Sequence, residues 1–303
     1  MPISQSPSAA SVNASDRFPS APLHYIETLW FQVAGTLCNL ECHHCLVSAN
    51  PTNKTHLMMT LDEVKGHLAA ANALGVREYY FTGGEPFMNR DMFAILEETL
   101  KIGPANVLTN GTFIDDRNAE RLRKLADGSK YSLELRISMD GTTPETNDPI
   151  RGQGSFNRIL RGIQALANVG LNPVITVTEA APELEQRGVK GRQAFFDLIA
   201  SLGIRQPRMK ILSLFHIGEE EGRSCGYKKT ESLAGMHLTD DELAKLQCTT
   251  SRIVAHEGVW VCPILVNDPG ARMGDRLEET LRPFELDRGA CYTCHAFGVS
   301  CRT

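Results

Sequence analysis

Three cysteines and two histidines fall within eight residues of the chain, which reads C-N-L-E-C-H-H-C from position 38 to position 45. Cys38, Cys42 and Cys45 are close enough in sequence to bind one metal centre. Structural zinc usually takes four ligands as two separated pairs, and no second Cys/His pair follows nearby. Closely spaced thiolates also hold iron–sulfur clusters. Three thiolates on a four-iron cluster leave one iron open, so the spacing favours such a cluster over zinc.

Six further cysteines follow in the C-terminal part of the chain, at positions 225, 248, 262, 291, 294 and 301. Cys225 is isolated in sequence, and a buried thiol without chemistry is its simplest interpretation. The last three form the tight set C-Y-T-C-H-A-F-G-V-S-C, which indicates a second metal centre. A C-x-x-C pair is also common in zinc sites, so zinc stays an alternative for this second centre.

The composition is that of a soluble globular protein, with 42% hydrophobic and 22% charged residues among 303. The net charge of −5 argues against a general nucleic-acid-binding protein, which normally carries a basic face. No apolar run reaches the roughly 18 residues of a membrane-spanning helix. Residues 1–22 lack the pattern of a signal peptide and predict a disordered tail. We therefore expect a cytoplasmic protein with reduced thiols, and neither nucleic acid nor membrane as a partner.

The elements that must hold these cysteines alternate along the chain. Apolar or β-branched runs predict strands at 27–34, 78–82, 105–109, 133–139, 173–178 and 208–216. Helical patterns begin at Leu61, at Asp115 or Asp116 and at Ser155, and a fourth covers about 188–202. This alternation predicts an α/β fold with parallel strands. Six units are too few for a closed eight-fold barrel, so we expect a partial (β/α)6 TIM-like barrel, with its chemistry at the carboxyl ends of the strands.

At these strand ends the chain resembles the radical S-adenosylmethionine superfamily, over roughly residues 27–216. The C-x-x-x-C-x-x-C motif follows the first predicted strand, and three more motifs follow the next three strands in order. They are G-G-E-P at 83–86, T-N-G at 109–111 and S-M-D-G at 138–141, the last followed by Asp148 and Arg151. His44 departs slightly from the superfamily, which often has an aromatic residue before the third cysteine.

The resemblance implies that Cys38, Cys42 and Cys45 bind a [4Fe–4S] cluster whose open iron holds S-adenosylmethionine. It also implies cofactor-binding roles for Gly83, Gly84, Glu85, Asn110, Ser138, Arg151 and Leu212. The two glycines would let the backbone approach the bound methionine, and Glu85 would take its amine. The reduced cluster, supplied with an electron by a flavodoxin- or ferredoxin-type donor, would release a 5′-deoxyadenosyl radical that takes a hydrogen atom from the substrate.

Four of these roles concern the rest of the cofactor. Ser138 and Asn110 would bond to ribose or carboxylate oxygens, Arg151 would pair with the carboxylate, and Leu212 would flank the adenine. The residue types alone leave alternatives open. Ser138 and Asn110 are also common turn residues, and Arg151 could form a surface ion pair.

The C-terminal part resembles a shortened auxiliary-cluster domain of the SPASM or twitch type, which implies one auxiliary [4Fe–4S] cluster. We therefore expect a tail over 1–22, a radical S-adenosylmethionine barrel over 23–217 and an auxiliary-cluster domain over 218–303. Two ligand sets are open. The twitch analogy gives Cys248, Cys262, Cys291 and Cys294, whereas compactness in sequence gives Cys262, Cys291, Cys294 and Cys301. We favour the second set, which leaves Cys248 as a spare thiol.

The spare thiol bears on the reaction. The short chain and single auxiliary cluster resemble the aminoglycoside and carbohydrate dehydrogenases and epimerases of the superfamily. We expect an epimerase of antibiotic or natural-product biosynthesis, in which Cys248, or else Cys225, donates a hydrogen atom to the substrate radical. A two-electron dehydrogenase and a maturase of ribosomally made peptides are the alternatives. Five acidic residues could attract a cationic amino sugar: Glu219, Glu220, Glu221, Asp240 and Asp241. A solvated acidic loop explains them more simply.

Overall fold

A computed structural model of the protein describes residues 17–187 and 189–298. Cys301 therefore lies outside the described residues, as does the predicted tail up to position 16. The last residues of the predicted tail are structured, because Ser20 and Ala21 form a short strand that pairs with Phe284–Glu285. The expectation of a disordered tail is wrong for these residues, since their backbone finds partners far along the chain.

The strands in chain order are β1 Ser20–Ala21, β2 Thr28–Gln32, β3 Glu78–Thr82, β4 Ala105–Thr109, β5 Leu133–Ser138, β6 Val174–Thr178, β7 Arg208–Leu212, β8 Ser251–Ala255, β9 Gly258–Trp260, β10 Arg272–Gly274 and β11 Phe284–Glu285. The helices are α1 Leu61–Ala73, α2 Met92–Thr99, α3 Asp116–Asp127, α4 Pro144–Arg151, α5 Ser155–Asn168, α6 Pro182–Arg187, α7 Val189–Ser201, α8 Glu219–Ser224, α9 Asp240–Ala244 and α10 Gly289–Phe297. No helix among the described residues is both long and apolar enough to cross a membrane.

The main sheet has nine strands in the order β10-β9-β8-β2-β3-β4-β5-β6-β7. Strands β2 to β7 are all parallel to their neighbours. Helices follow these strands, and one apolar core fills the space between helices and sheet. The prediction of an α/β fold with a partial TIM-like barrel of six parallel strands is confirmed. In this arrangement the carboxyl ends of six strands meet at one end of the barrel.

The predicted starts of helices α1 and α3 agree with the structure, because capping side chains determine them. At α1, the Thr60 hydroxyl accepts a hydrogen bond from the Glu63 N–H, and the Glu63 carboxylate accepts one from the Thr60 N–H. Asp115 caps α3 in a similar way. Several helices were not predicted, among them α2 and α4. Helix α2 is short, with no side-chain cap, and α4 contains Pro149 within the sequence P-E-T-N-D-P-I-R, which does not resemble a helix.

The C-terminal part of the chain joins the barrel sheet directly. Strand β8 runs parallel to β2 from the pair Thr28–Ser251 to the pair Phe31–Val254, and β9 returns antiparallel to β8. The backbone of β2, which is buried along its whole length, is therefore paired on both sides. The predicted domain boundary between 217 and 218 stays a prediction, but the main sheet continues across it.

Arg252 on β8 is fully buried and anchors the C-terminal segments to the sheet. Its guanidinium donates to backbone carbonyls of Cys248, Ser251, Thr280 and Arg282, at 2.7, 2.8, 3.0 and 3.1 Å. Burial lowers its pKa to about 10, so Arg252 stays charged at neutral pH. One side chain thus holds the segment of Cys248 and the turn at 280–282 against β8.

We predict that Arg252→Met lowers the free energy of unfolding by about 3 kcal/mol or more, because several buried carbonyls lose a charged donor. Urea unfolding of the anaerobically purified protein measures the change. Arg276→Met is the matched control, since the Arg276 side chain is 74% exposed and should cost less than about 0.5 kcal/mol. Equal effects of the two substitutions would contradict the anchoring role.

Candidate active site

A cavity of about 230 Å³ lies at the carboxyl ends of the barrel strands, and we call it the central cavity. All but one of the residues predicted to bind the first cluster and S-adenosylmethionine line it. They are Cys38, Cys42, Cys45, Gly83, Gly84, Asn110, Ser138, Arg151 and Leu212. These residues lie on or after five strands, β2, β3, β4, β5 and β7, so the parallel sheet brings residues that are far apart in sequence to one cavity.

Each sulfur of the first motif accepts a hydrogen bond from the protein. The donors are the Leu40 N–H to Cys38 at 3.4 Å, the Ala49 N–H to Cys45 at 3.2 Å and the Arg151 guanidinium to Cys42 at 3.9 Å. Such donors favour the thiolate form and fix the direction of each sulfur. The loop is therefore organised for three thiolates that face the central cavity.

The same thiols are protonated in the absence of a metal. Burial raises the pKa of Cys38 to about 12 and that of Cys42 to about 11, and burial also raises the pKa of Cys45. Since metal ligands must be deprotonated, loading this site with iron releases protons. No group of three His, Cys, Asp or Glu side chains suited to a single metal ion occurs among residues 17–187 and 189–298. The fit to a cluster rests on the three-thiol donor set and the adjoining cavity.

A buried carboxylate, Asp140, ties the cysteine loop to the barrel. Its Oδ2 lies 2.6 Å from His44 Nε2 and 2.7 Å from an Arg151 nitrogen, and its Oδ1 accepts the Thr178 N–H at 2.7 Å. Burial by itself would raise the pKa of Asp140, but Arg151 and His44 hold it well below its usual range. We did not predict this role, although Asp140 stands in the S-M-D-G motif. Arg151 is buried here, so it is not a surface ion pair.

Glu85 does not line the central cavity, and its predicted contact with the methionine amine has no support in the structure. Its carboxylate is fully buried and accepts from the Thr109 hydroxyl at 2.6 Å, the Asn110 N–H at 2.7 Å and the Phe87 N–H at 3.0 Å. Burial raises its pKa to about 7, against the effect of these donors. Glu85 instead shapes the turn that presents Asn110 to the cavity.

The two glycines of the G-G-E-P motif pack against the cysteine loop. A Cβ on Gly84 would collide with the backbone carbonyl of Leu37 and lie 2.9 Å from the Cys38 nitrogen. Gly83 has a φ of +140°, which side chains rarely adopt. Glycine is therefore required at Gly84 because a side chain would not fit beside Cys38, and not only because a ligand approaches the backbone. Asn110 also has a structural part, since its side-chain amide donates to Asn39 at 2.9 Å.

A second, small cavity is lined by Cys248, Cys262, Cys291 and Cys294 together with mainly apolar side chains. These four thiols are the set given by the twitch analogy, whereas Cys301 of the compact set lies outside the described residues. Cys248 does not line the central cavity, so the structure does not support it as a hydrogen-atom donor to a substrate there. It reaches the second cavity because the turn at 247–249 is held by Arg252. Cys225 is exposed and lines neither cavity.

The two cavities share a wall. Ile264 lines both, its neighbour Pro263 lines the central cavity, and Cys262 lines the second. Burial raises the pKa of Cys248 to about 12 and that of Cys262 to about 11, and it also raises the pKa of Cys291. The second site thus offers four thiols in a largely apolar setting, one residue layer away from the first.

Comparison with known proteins agrees with this geometry. Residues 33–180 match the profile of the Radical SAM superfamily. This stretch of the chain, just under half of its length, is therefore similar to a radical SAM domain. This family binds a [4Fe–4S] cluster and S-adenosylmethionine, and its enzymes need a reductant. The three-thiol loop beside the central cavity fits that cluster.

Individual relatives cover only parts of the chain. A GTP 3′,8-cyclase of Petrotoga mobilis is 31% identical over 140 residues, which are 45% of this chain and 42% of the relative. An AdoMet-dependent heme synthase of Methanosarcina barkeri is 34% identical over 159 residues, 52% of this chain and 43% of the relative. The chain thus matches less than half the length of either relative.

Solved structures show the same fold at low sequence identity. Streptococcus suis SuiB, bound to its precursor peptide SuiA, has a TM-score of 0.64 and 14% identity, covering 86% of this chain and 65% of SuiB. The enzyme anSMEcpe with bound AdoMet has a TM-score of 0.61 and 15% identity, covering 84% of this chain and 79% of that protein. These likenesses extend beyond the radical SAM domain into the C-terminal segments.

We predict that Gly84→Ala lowers both iron content and S-adenosylmethionine binding, because the added methyl group displaces the backbone of Leu37 and Cys38. Iron analysis and equilibrium dialysis of the anaerobically reconstituted protein measure the two quantities. Gly66→Ala is the matched control, since a Cβ there meets nothing within 4 Å. The control should keep its iron and gain roughly 0.5–1 kcal/mol of stability in helix α1. Unchanged iron in Gly84→Ala would contradict the packing argument.

We also predict a pH-dependent effect of Glu85→Gln. Because the folded-state pKa of Glu85 is about 7 and its ordinary value 4.5, folding binds a proton here, and the stabilisation is lost as pH rises through 7. The neutral amide of the variant does not titrate. We therefore compare the unfolding free energy of the wild type with that of the variant at each pH. The wild-type value minus the variant value should be smaller at about pH 8 than at about pH 5, by on the order of 2 kcal/mol. Urea unfolding at both pH values measures it.

The control for this experiment is Glu98→Gln, at an exposed surface ion pair with Lys101. This substitution should leave the pH dependence of the wild type nearly unchanged. If Glu85→Gln shows the same pH dependence as the wild type, the buried carboxylate does not titrate in this window.

Proposed function

We propose that the protein is a radical SAM enzyme that oxidises a carbon of a small polar substrate by two electrons. This is the dehydrogenase alternative rather than the epimerase that we favoured from the sequence. The observation that carries the proposal is the position of Cys248, which lines the second cavity with three other thiols and not the central cavity. A radical epimerase of the expected kind needs a thiol facing its substrate.

The absence of a donor thiol extends to the rest of the central cavity. Within the described ranges, the cysteines that line it are Cys38, Cys42 and Cys45, which are the proposed cluster ligands. The fourth thiol of the second cavity, Cys248, completes a full set of protein ligands for a four-iron cluster. A cluster with four protein ligands suits electron transfer, because it leaves no iron open to substrate.

The residues of the first motif would hold one cluster, and Cys248, Cys262, Cys291 and Cys294 would hold the second. When bound, the first cluster and S-adenosylmethionine would supply one-electron chemistry that removes a hydrogen atom from a carbon. The second cluster would accept the second electron, and the second hydrogen would leave as a proton to solvent. The shared wall at Ile264 keeps the two sites close while separating their contents.

The protein itself would orient the reactants and exclude water. Asp140, His44 and Arg151 fix the cysteine loop, and the Arg151 guanidinium keeps one buried nitrogen, Nε, without a protein partner. That nitrogen is a candidate donor to the cofactor carboxylate. Much of the cavity wall is apolar: Leu40, Leu46, Val47, Leu108, Leu214, Phe215 and Ile264. Such walls protect a reactive intermediate from solvent.

The lining of the central cavity supports a small substrate. It is mainly apolar with a few polar side chains, which is typical of a site for a small molecule. Streptococcus suis SuiB binds a peptide. A peptide is therefore the alternative substrate. The mass of the product distinguishes a peptide from a small molecule.

We predict that the anaerobically reconstituted protein holds about eight irons per chain, from two four-iron clusters, and that Cys248→Ala holds about four. The variant should still form 5′-deoxyadenosine from S-adenosylmethionine, because the first motif is intact. Cys225→Ala is the control and should keep all of the iron. If Cys248→Ala keeps all of the iron, Cys248 is a spare thiol and the epimerase interpretation returns.

The product distinguishes the two reactions once a substrate is found among candidate sugars, amino sugars and peptides. A dehydrogenase product is two hydrogens lighter than the substrate and carries no solvent deuterium at the reacting carbon. An epimerase product has the composition of the substrate and gains one deuterium when the reaction runs in deuterated water. Detection of that deuterium would contradict the proposal.

A further inference from the structure

Hydrogen-bond donors without protein partners are concentrated in the central cavity. Six buried side-chain polar atoms in the described part of the chain have no partner, and four of them belong to residues that line this cavity. Arg151 Nε lies beside the cluster loop. The other three are Trp30 Nε1, Gln32 Nε2 and Thr176 Oγ1, and we call these three residues the donor floor. Buried polar groups in proteins are almost always paired, so such a concentration indicates a ligand.

The donor floor is separate from most of the predicted cofactor contacts. Gly83, Gly84 and Ser138 lie at or just after strand ends, whereas Trp30 and Thr176 each lie two residues before the end of a strand. Trp30 and Gln32 are two residues apart on β2 and so face the same side of the sheet. Trp30 and Thr176 therefore extend the cavity into the barrel from Gln32, which ends β2.

The direction of the Trp30 donor is fixed by packing. The indole is 1% exposed and stacks on Tyr80, with ring centroids 4.4 Å apart and an angle of 23° between the planes. The Arg136 guanidinium in turn lies 4.9 Å from the centroid of the Tyr80 ring. Because the indole cannot turn away without breaking this stack, the direction of its unpartnered N–H is fixed.

The chemistry of the lining specifies the group that fits. An indole N–H can only donate, so its partner must be an acceptor. No Asp or Glu of residues 17–187 and 189–298 lines the central cavity. An ammonium group would therefore find no carboxylate there, and its burial would be costly. The acidic residues expected to attract a cationic amino sugar do not line the cavity either: Glu219, Glu220, Glu221, Asp240 and Asp241.

We infer that Trp30, Gln32 and Thr176 bind an acceptor oxygen of the substrate, which belongs to an uncharged or anionic group: a hydroxyl, a carbonyl or a carboxylate. The inference rests on the proposed function, since it takes the central cavity to hold the substrate beside S-adenosylmethionine. It replaces the cationic amino sugar with an oxygen-rich substrate whose recognised end carries no positive charge.

The test uses fluorine NMR of the reconstituted holoenzyme with S-adenosylmethionine bound and with 5-fluorotryptophan in place of tryptophan. The chain has two tryptophans. Trp260 is the internal reference, because its Nε1 donates to the Asp268 carbonyl at 3.2 Å and it does not line the cavity. Trp260→Phe assigns the two resonances. The probes are acetate, glycerol and methylammonium, which are an anionic acceptor, a neutral polyol and a cation.

The expected result is a saturable shift of the Trp30 resonance with acetate or glycerol, none with methylammonium, and no shift of Trp260. Gln32→Met and Thr176→Val should each weaken the probe's binding about three- to tenfold, as loss of one hydrogen bond does. Thr99→Val is the matched control, because the Thr99 hydroxyl is buried but already donates to the Ile95 carbonyl at 2.8 Å. It should leave the binding unchanged.

Three results would overturn the inference. The first is no saturable shift with either oxygen probe, and the second is an equal shift with methylammonium. The third is a shift of Trp30 on adding S-adenosylmethionine alone that then blocks the oxygen probes, because the donors would serve the cofactor. Iron content and 5′-deoxyadenosine formation, measured on the same sample, report separately on the proposed function. A wrong proposed function can therefore be distinguished from a donor floor that does not bind the substrate oxygen.

Discussion

The buried carboxylate of Asp140 is the interaction on which the arrangement of the central cavity depends. It lies at the end of β5 and joins three other segments: the cysteine loop through His44, α4 through Arg151 and the end of β6 through Thr178. A buried charge is tolerated only when it is paired and hydrogen-bonded, and removing one partner of such a pair typically costs about 3–5 kcal/mol. The negative charge of Asp140 and the positive charge of Arg151 therefore stabilise each other. Together they fix the position of the loop that carries the cluster thiols.

Several motif residues act on the architecture of the site rather than on its ligands. Gly84 gives the cysteine loop the space it needs, and Glu85 lies behind the cavity wall, where it fixes the turn at Asn110. Each of them influences the cavity through a neighbour, so a substitution would change cofactor binding without removing a contact to the cofactor. A motif residue in this chain is therefore not necessarily a residue that touches a ligand.

The pairing of β8 with β2 determines how the two cavities lie relative to each other. Because β8 continues the barrel sheet, Cys248 before it and Cys262 after the β8–β9 hairpin come beside the barrel mouth. Arg252 then holds the Cys248 turn in place from within the sheet. One strand pairing and one buried arginine thus bring a four-thiol site to within one residue layer, Ile264, of the central cavity. This proximity supports the proposed electron transfer between the two sites.

The sequence by itself determined the fold class, the positions of the six barrel strands and nine of the residues that line the central cavity. These follow from local patterns: β-branched runs, helix caps such as Thr60 with Glu63, and motifs at the ends of parallel strands, which must meet at one end of the barrel. Helices α2 and α4 were missed because one is short and uncapped and the other contains proline, so neither carries the usual local signal.

The tertiary structure alone decided which side chains face which cavity. His44 and Asp140 are 96 residues apart, and Arg151 and Cys42 are 109 apart, so no spacing rule connects them. The Glu85 carboxylate lies behind the cavity wall because three protein donors, among them the Thr109 hydroxyl, bind it there. Cys248 lies beside the other three thiols of the second cavity because β8 pairs with β2. The direction of a side chain depends on strand register and on segments packed from far along the chain, and that information is absent from any local pattern.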